Sequence, residues 1–273
     1  MPTLSAIVIT YNEEKNIERS LQSIRWADEL IVVDSFSTDS TVEIARKFTD
    51  RILQAQYDGE VTQRERGFAV ASGDWLFWID ADEEVSDELR EELLKEINQP
   101  SAKDGYYVQR RVWALGKWIE HGGWFPDRQF RLVRKGKYVA EYQAIHGGFT
   151  TTGPKGSLIG FLNHYTYTSI SEHLRKMNDQ TSLHVSNKLK DNPSIDVGWQ
   201  KIVLSPVSYF LRMFIVRRGY KDGRQGFLLA VYSALYTLLL YAKTWEHRWR
   251  VKEGKGILPP ITNSEVQQLK RLL

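Results

Sequence analysis

Two aspartates one residue apart follow a short apolar run in the first third of the chain. The run Trp75-Leu76-Phe77-Trp78-Ile79 has the composition of a buried strand, and it ends in Asp80-Ala81-Asp82. Open α/β sheets bind ligands beyond the carboxyl ends of their strands, so these carboxylates are candidates for a ligand site. Their oxygens suit Mg²⁺ or Mn²⁺ that itself holds phosphate. The alternative is that Asp82, Glu83 and Glu84 only begin the next helix, where the helix dipole favours acids.

Another carboxylate ends a second apolar run. Leu30-Ile31-Val32-Val33 is followed directly by Asp34. If the two strands are parallel, Asp34 and Asp80 lie at the same edge of the sheet, near its switch point. Asp34 could instead serve only to form the turn after the strand. For Asp39, a role in starting the next helix is favoured over a contact with a ligand.

The elements that position these residues alternate between strand and helix patterns. Strands are predicted at 4–10, 30–34, 51–53 and 75–79, and helices through 17–24, 42–48, 64–71 and from Ser86 to about residue 98. Asn12 and Ser86 are the predicted N-caps of the first and the last of these helices. This order predicts an α/β fold with a doubly wound, mostly parallel sheet.

The pattern changes after Pro100. Strands are predicted at 105–112 and 130–133, and between them lies a loop rich in glycine and aromatic residues, 118–127. Long structured loops often carry function. Strands and turns at 138–161 and a polar helix at 169–189 follow.

Composition excludes several classes of site. The chain has 273 residues and no cysteine, which rules out a disulfide framework, a thiolate metal site and a cysteine nucleophile. Met1 leads almost directly into a strand, so no secretory signal is predicted. Hydrophobic and charged fractions of 42% and 26% are those of an ordinary globular protein.

Charge is divided unevenly along the chain. Residues 198–256 hold eleven Lys and Arg against three Asp and Glu, whereas the whole chain has 37 against 34. An acidic first part and a basic, aromatic-rich last part indicate two separate tasks. A nucleic-acid partner is disfavoured, because the basic residues lie among apolar helices and not along a polar groove.

An uncharged run at 226–242 is the most apolar segment. As a helix its 17 residues would be about 26 Å long, against about 30 Å for a bilayer core. Lys221, Arg224 and Lys243 flank both ends, which argues against a simple span. Three interpretations stay open: an interfacial helical hairpin, which is favoured, a buried core helix, and a transmembrane span.

Three ordered motifs resemble glycosyltransferase family 2. They are Ala6-Ile7-Val8-Ile9-Thr10-Tyr11-Asn12-Glu13-Glu14, Val32-Val33-Asp34-Ser35-Phe36-Ser37-Thr38-Asp39-Ser40-Thr41, and Ala71-Ser72-Gly73-Asp74-Trp75 leading into Asp80-Ala81-Asp82-Glu83. The segments 124–135 and 217–226 extend the resemblance to the WaaE-type branch, lipopolysaccharide inner-core β-1,4-glucosyltransferases. It covers nearly the whole chain and implies a Rossmann-like GT-A fold, an inverting reaction, a divalent metal and a sugar-nucleotide donor.

The resemblance also implies roles by position. Thr10, Tyr11 and Glu13 would contact the nucleotide, Asp34 the uracil or ribose, Arg66 the nucleotide or phosphates, Asp80 the ribose and metal, Asp82 the metal, and Asp127 would be the catalytic base. This chain departs from the family pattern at Ser35, where members often have a second acid. It departs again at His146-Gly147, where relatives often have His-Glu, so that glutamate's role cannot be transferred. Glu141 is only a loose substitute.

Residue types agree with this chemistry. Inverting transfer needs one base for the acceptor hydroxyl and positive charge for the departing diphosphate, and it needs no covalent nucleophile. His121, Trp124, Arg128 and Arg131 are candidate acceptor contacts. For each of them a structural role is the alternative: a loop histidine, core packing, or a solvated strand face.

These expectations combine into one prediction. Residues 1–165 would form a GT-A domain, with a nucleotide-sugar half at about 1–100 and an acceptor half at about 101–165. Residues 166–273 would form a helical, membrane-associating extension. The predicted enzyme uses Mg²⁺ or Mn²⁺ to move glucose from a UDP-sugar to a lipid-linked oligosaccharide, the lipopolysaccharide core. It would act at the cytoplasmic face of the inner membrane as a peripheral or monotopic protein.

Three alternatives differ in acceptor or class. A polyprenyl-phosphate or capsule glycosyltransferase would use the same fold. A nucleotidyltransferase would need a triphosphate loop rich in glycine and basic residues after the first strand, which 10–15 is not. A non-catalytic, membrane-bound binding protein would tolerate loss of the candidate carboxylates.

Overall fold

The computed structural model describes residues 1–142, 147–167, 169–192, 195 and 197–255. The chain divides into two compact units. The first contains Met1–Arg111 and Pro126–Tyr165, and the second contains Val112–Phe125 and Thr166–Leu273, described up to residue 255. The loop predicted between two strands therefore belongs largely to the second unit.

A parallel βα repeat begins the first unit. Its elements are β1 (Leu4–Thr10), α1 (Ile17–Ile24), β2 (Glu29–Asp34), α2 (Thr41–Ala45), β3 (Ile52–Gln54), α3 (Glu60–Val70) and β4 (Trp75–Asp80). The strands pair in the order β3-β2-β1-β4, all parallel. This confirms the predicted alternation and the four predicted strands.

Both faces of this sheet are covered. Leu4, Ala6 and Val8 of β1 pack in one buried cluster, whereas Ile7 packs in another. Side chains of a strand alternate between faces, so a strand buried on both faces is mostly apolar and shows little alternation. This explains why the β1 sequence is apolar apart from Ser5 and Thr10.

Helix starts agree only in part with the predictions. Ser86 caps its helix as expected, because its Oγ accepts a hydrogen bond from the Leu89 N–H at 3.2 Å. The predicted cap at Asn12 is wrong, since α1 is preceded by Asn16. Asn12 has a φ of 52°, a left-handed conformation that Asn tolerates, and its Oδ1 accepts from the Thr38 N–H at 2.8 Å. It therefore links two loops.

The sheet continues with antiparallel strands. These later elements are β5 (Glu83–Val85), α4 (Asp87–Ile97), β6 (Gly105–Ala114), β7 (Lys117–Ile119), β8 (Asp127–Arg134), β9 (Tyr138–Glu141), β10 (Gly148–Thr151) and β11 (Lys155–Tyr167). The order runs on from β4 as β8-β6-β11-β5, and β9 and β10 form a separate hairpin. The complete sheet is therefore mixed, because strands after Pro100 follow one another without crossover helices.

Helices dominate the second unit. Its main helices are α5 (Ile170–Asp191), α6 (Trp199–Leu211) and α7 (Gly223–Lys252). A π-helical turn, Arg212–Val216, and a 3₁₀ turn, Gly219–Asp222, connect α6 to α7, which packs against both α5 and α6. The predicted helix at 169–189 is thus confirmed as α5.

The apolar run at 226–242 lies within α7. By length and composition, Gly219–Lys252 is the one helical stretch of the described residues that could cross a membrane. Only 22% of its most apolar window is buried. A core helix of a soluble protein would be mostly buried, so the burial disfavours that interpretation.

Candidate active site

Three candidate residues lie at the carboxyl ends of adjacent parallel strands. Thr10 of β1 is opposite Asp34 of β2, and Ile9 is opposite Asp80 of β4. Strand register therefore brings Asp34 and Asp80 to one edge of the sheet on either side of β1. This confirms the predicted placement, and it is the position where open α/β sheets bind ligands.

Asp34 is fully buried and organises the turn that follows it. Its carboxylate accepts from the Ser37 N–H at 3.0 Å, from the Ser37 hydroxyl, and from Gln54 Nε2 at 3.0 Å. Asp34 thus forms the turn, as the alternative interpretation expected. A contact of this carboxylate with uracil or ribose stays a prediction.

The loop after β1 is fastened to the turn after β2. The Glu13 N–H donates to Thr41 Oγ1 at 2.8 Å, and the Glu13 carboxylate accepts from Asn16 at 2.8 Å. Tyr11 is half-buried in this loop. Thr10 is buried, and its hydroxyl has no hydrogen-bond partner among the described residues. A buried polar atom in this state costs free energy, so the Thr10 hydroxyl has an unused capacity to form a hydrogen bond.

Asp80 is held by two arginines. Arg64 of α3 approaches one carboxylate oxygen at 2.6 Å, and Arg131 of β8 approaches the other at 3.0 Å. Burial by itself would raise the pKa of Asp80, but the two guanidinium groups outweigh it and hold that pKa well below its ordinary value. Asp80 is therefore ionised, with an arginine on each oxygen.

Arg64 is a site residue that the sequence did not single out. It is buried, whereas the predicted Arg66 is partly exposed and donates to Gln63 and Asp58, each at 2.6 Å. Both arginines lie on α3, and their surroundings differ because their side chains point in different directions. A helix rotates by about 200° over two residues, so the two cannot share a face.

Glu83 joins Asp80 to the candidate base. Its carboxylate is fully buried and accepts from Arg131 at 2.8 Å, from Arg110 at 3.3 Å and from the Asp80 N–H at 2.9 Å. Arg110 in turn contacts Asp127 at 2.7 Å. A continuous chain of opposite charges therefore runs from the end of β4 to the start of β8.

Asp127 is the first residue of β8 and remains partly open, with 26% of its side chain exposed. One oxygen accepts from Arg110 Nε and the other from Gln129 Nε2, both at 2.7 Å. These donors fix the orientation of the carboxylate and keep further lone pairs free. The arrangement suits a positioned proton acceptor.

Asp82 has a histidine partner that the sequence did not reveal. His164 of β11 lies opposite Glu83 of β5, and its Nε2 is 3.3 Å from the Asp82 carboxylate. Burial by itself would lower the pKa of His164, but the Asp82 carboxylate outweighs it and raises that pKa above its ordinary value. The 82 positions between the two residues hide the pair from local patterns.

A carboxylate and an imidazole are suitable donors for a divalent metal. The described residues contain no group of three His, Cys, Asp or Glu side chains arranged as a metal site. Mg²⁺ in enzymes often has only one or two protein ligands and takes the rest from phosphate and water. Asp82 fits that kind of site as its carboxylate ligand, and His164 can add a nitrogen donor once its imidazole is neutral.

Arg131 and Arg128 both lie on β8 but differ in their burial. Arg131 is buried and occupied by Asp80 and Glu83, so it does not lie on the open surface expected of an acceptor contact. The physical reason is the period of two along a strand, which turns Arg128 to the opposite face. Arg128 is exposed, donates to Ser157 and lies 5.2 Å above the Tyr107 ring.

His121 and Trp124 belong to the second unit. The His121 N–H and ring Nδ1 contact the buried Asp222 carboxylate at 2.8 and 3.2 Å. Trp124 packs against a cluster that includes Ile119 and Leu229. Both side chains thus have structural roles, and acceptor contacts by them stay predictions. His146 lies outside the described residues.

Several proteins with related sequences are described as glycosyltransferases. A lipopolysaccharide core biosynthesis glycosyltransferase, LpsC from Rhizobium meliloti, is 28% identical over 255 residues, covering 89% of this chain and 92% of the relative. An uncharacterized glycosyltransferase from Rickettsia bellii is 30% identical over 261 residues, covering 89% and 86%.

Solved structures give looser similarity. TarS 1–349 from S. aureus, in complex with UDP-GlcNAc, is 15% identical with a TM-score of 0.45, covering 92% of each chain. Glucosyl-3-phosphoglycerate synthase from Mycobacterium tuberculosis, in complex with Mn²⁺, UDP and glucosyl-3-phosphoglycerate, is 18% identical with a TM-score of 0.44, covering 72% of this chain and 82% of that one.

The family match is direct and covers the candidate carboxylates. Residues 5–152 match the sequence model of glycosyl transferase family 2. This span is more than half of the 273 residues and includes Asp34, Asp80, Asp82 and Asp127. The chain belongs to glycosyl transferase family 2.

Proposed function

We propose that this protein is an inverting, metal-dependent glycosyltransferase that moves glucose from UDP-glucose to a heptose of the lipopolysaccharide inner core. The observation that carries the proposal is the charged chain from Asp80 through Arg131, Glu83 and Arg110 to Asp127. It connects the ligand-binding edge of the sheet to an oriented carboxylate that can accept a proton.

Asp127 is the base in this proposal. Its carboxylate takes the proton of the acceptor hydroxyl while that oxygen attacks the anomeric carbon of the donor. The bond from the anomeric carbon to the diphosphate breaks with its electron pair, and UDP leaves from the opposite side. One displacement therefore inverts the anomeric configuration. Arg110 and Gln129 hold the carboxylate in one orientation for this step.

Asp82 and His164 would hold Mg²⁺ or Mn²⁺ together with the diphosphate. When bound, the metal neutralises negative charge on the departing group. Asp80 is assigned a position beside the ribose and metal, with its charge fixed by Arg64 and Arg131. This setting makes Asp82 the better metal ligand of the two acids.

The nucleoside is assigned to the loops after β1 and β2. Thr10, Tyr11, Glu13 and Asp34 would surround it, and the unpartnered Thr10 hydroxyl is the strongest local support. Arg66 is kept as a candidate phosphate contact, although its present partners lie in the segment before α3 and on α3 itself.

The acceptor assignment rests on similarity to LpsC, whose name places that relative in lipopolysaccharide core biosynthesis. His121, Trp124 and Arg128 remain the candidate acceptor contacts, whereas the buried Arg131 holds Asp80 and Glu83. A lipid-linked acceptor agrees with the long apolar helix α7, and we assign the protein to the cytoplasmic face of the inner membrane as a peripheral or monotopic enzyme. Residues 1–165 would carry the transfer and 166–273 the membrane association.

Sugar-nucleotide turnover tests the proposal. The purified protein is incubated with UDP-glucose, UDP-galactose, UDP-GlcNAc or GDP-mannose, with Mn²⁺ or EDTA, and with truncated core oligosaccharide or polyprenyl phosphate. We expect metal-dependent transfer from UDP-glucose to the core oligosaccharide, with an inverted anomeric centre by NMR. If the protein transfers sugar only to polyprenyl phosphate, the proposed lipopolysaccharide-core acceptor is wrong. If it turns over none of the donors, the proposed glycosyltransferase activity is wrong. Asp82→Ala should abolish transfer, whereas a non-catalytic binding protein would keep its function after this substitution.

A further inference from the structure

A cleft with polar and apolar lining residues lies between α6 and α7 in the second unit. Its volume is about 340 Å³, which is at the small end of the range for ligand sites. Six residues with hydroxyl or guanidinium groups line it: Ser205, Ser208, Tyr209, Arg212, Thr237 and Tyr241. On α6 these residues recur at helical spacing, so they form one polar stripe along the helix.

Arg212 gives the cleft an uncompensated positive charge. Its guanidinium makes no hydrogen bond or ion pair within the described part of the chain, and no acid lines the cleft. A guanidinium surrounded by hydroxyl groups is suited to phosphate, because the planar fork donates to two oxygens and the hydroxyls donate to others. The lining is therefore suited to a phosphate group.

The outer surface of α6 is apolar and exposed. Leu204 is 62% exposed and also lines the cleft, and Val207 is 55% exposed. No residue of α6 is buried, and the exposed apolar surface continues through Leu211, Ile215 and Val216. Contiguous apolar surface of this kind marks an interaction site. The cleft thus opens beside a surface suited to acyl chains.

Charge and aromatic residues around α6 and α7 favour a bilayer as the occupant. Residues 198–256 hold eleven Lys and Arg against three Asp and Glu. Trp199, Trp245 and Trp249 are exposed at the far ends of the two helices, and tryptophan is enriched at membrane–water interfaces. Basic side chains are attracted to the anionic lipids of the cytoplasmic leaflet.

We infer that the cleft between α6 and α7 binds the phosphate of an anionic membrane phospholipid, while the apolar surface of α6 enters the acyl region. Arg212 is the main phosphate contact, with Ser205, Ser208 and Tyr241 as hydroxyl partners. This inference rests on the proposed membrane association and is independent of the sugar that is transferred. In this proposal the anionic headgroup of the lipid, as well as the buried apolar area, determines which membranes the enzyme binds.

Vesicle binding by the full-length protein tests the inference. Vesicles of phosphatidylcholine alone are compared with vesicles that also contain phosphatidylglycerol, and binding is measured by co-sedimentation. We expect preference for the phosphatidylglycerol vesicles. Arg212→Ala should weaken that binding by at least about tenfold, as for a hydrogen bond to a charged group. Arg224→Ala is the matched control, because it removes an equal charge from a residue that does not line the cleft, and it should cost about fivefold.

Two further results complete the test. Val207→Asn should weaken binding to both kinds of vesicle, because it removes inserted apolar surface. Equal losses for Arg212→Ala and Arg224→Ala would overturn the phosphate cleft in favour of diffuse charge. Wild-type protein that binds neither vesicle, or binds both equally, would also overturn it. Transfer to a soluble acceptor, measured on the same variants, should stay at the wild-type level, so failure of membrane binding is distinguished from failure of the proposed function.

Discussion

Glu83 is the residue on which the charges of the candidate site converge. It is fully buried and shared by Arg131 and Arg110, which also contact Asp80 and Asp127. Removing one member of a buried ion pair leaves an uncompensated charge, which is more costly than the pair is stabilising. Glu83 therefore acts as a positioning residue for Asp127, through Arg110.

Glu83→Gln should lower transfer by about 100-fold, because a loosened Arg110 lets the Asp127 carboxylate move from its productive position. The loss should fall on kcat, with the KM for donor changed much less. Glu84→Gln is the matched control: Glu84 accepts from the Tyr165 hydroxyl at 2.6 Å and lies outside the arginine chain. Wild-type kcat in Glu83→Gln, measured on protein whose fold is verified by circular dichroism, would contradict the positioning role.

Asp127→Asn should lower transfer by about 10²–10⁴-fold, since the amide cannot accept the acceptor proton. Donor affinity, measured by calorimetry with UDP-glucose and Mn²⁺, should remain. Asp82→Ala, in contrast, should weaken the binding of UDP-glucose with Mn²⁺. If Asp127→Asn retains wild-type turnover, the base is a different residue.

At the scale of elements, the start of α7 depends on close backbone approach. Asp222, just before α7, accepts from the Glu120 and His121 N–H groups at 3.2 and 2.8 Å. A Cβ at Gly226 would lie 1.9 Å from the Gly219 carbonyl oxygen. Backbone atoms cannot yield as a flexible side chain can, so only glycine fits this position.

Gly226→Ala should therefore destabilise the helical unit, by about 1–3 kcal/mol as for other overpacked sites. Thermal unfolding followed by circular dichroism measures the change. Gly198→Ala is the control, because its Cβ would meet nothing within 4 Å and its φ is −65°. Equal midpoints of thermal unfolding for the two variants would show that the turn before α7 can rearrange to accommodate the Cβ.

At the scale of the whole molecule, the acidic and basic parts of the chain match two tasks. The first unit carries the carboxylate edge of the sheet, and the second carries the basic, apolar helices. This division agrees with a catalytic part that binds a nucleotide sugar and a part that meets an anionic surface.

Divalent metal should couple to nucleotide binding in the intact protein. UDP with Mn²⁺ should raise the midpoint of thermal unfolding, equivalent to about 2.7 kcal/mol when UDP is at 100 times its Kd. EDTA should remove the shift, because the diphosphate then lacks the cation shared with Asp82 and His164. Asp82→Ala should remove it as well. A full shift in EDTA would show that arginines alone hold the diphosphate.

Local patterns in the sequence determined most of the strands and helices, the carboxylates at the ends of β2 and β4, and the Ser86 cap, but not the short strands β5 and β7. Each follows from side chains a few positions apart, whose burial repeats with the period of a helix or a strand. Only the tertiary structure decided that Arg64 and not Arg66 meets Asp80, that Arg131 is buried, and that His164 reaches Asp82. Those contacts join residues 16, 51 and 82 positions apart. They depend on strand register and on the direction of each side chain, which no local pattern specifies.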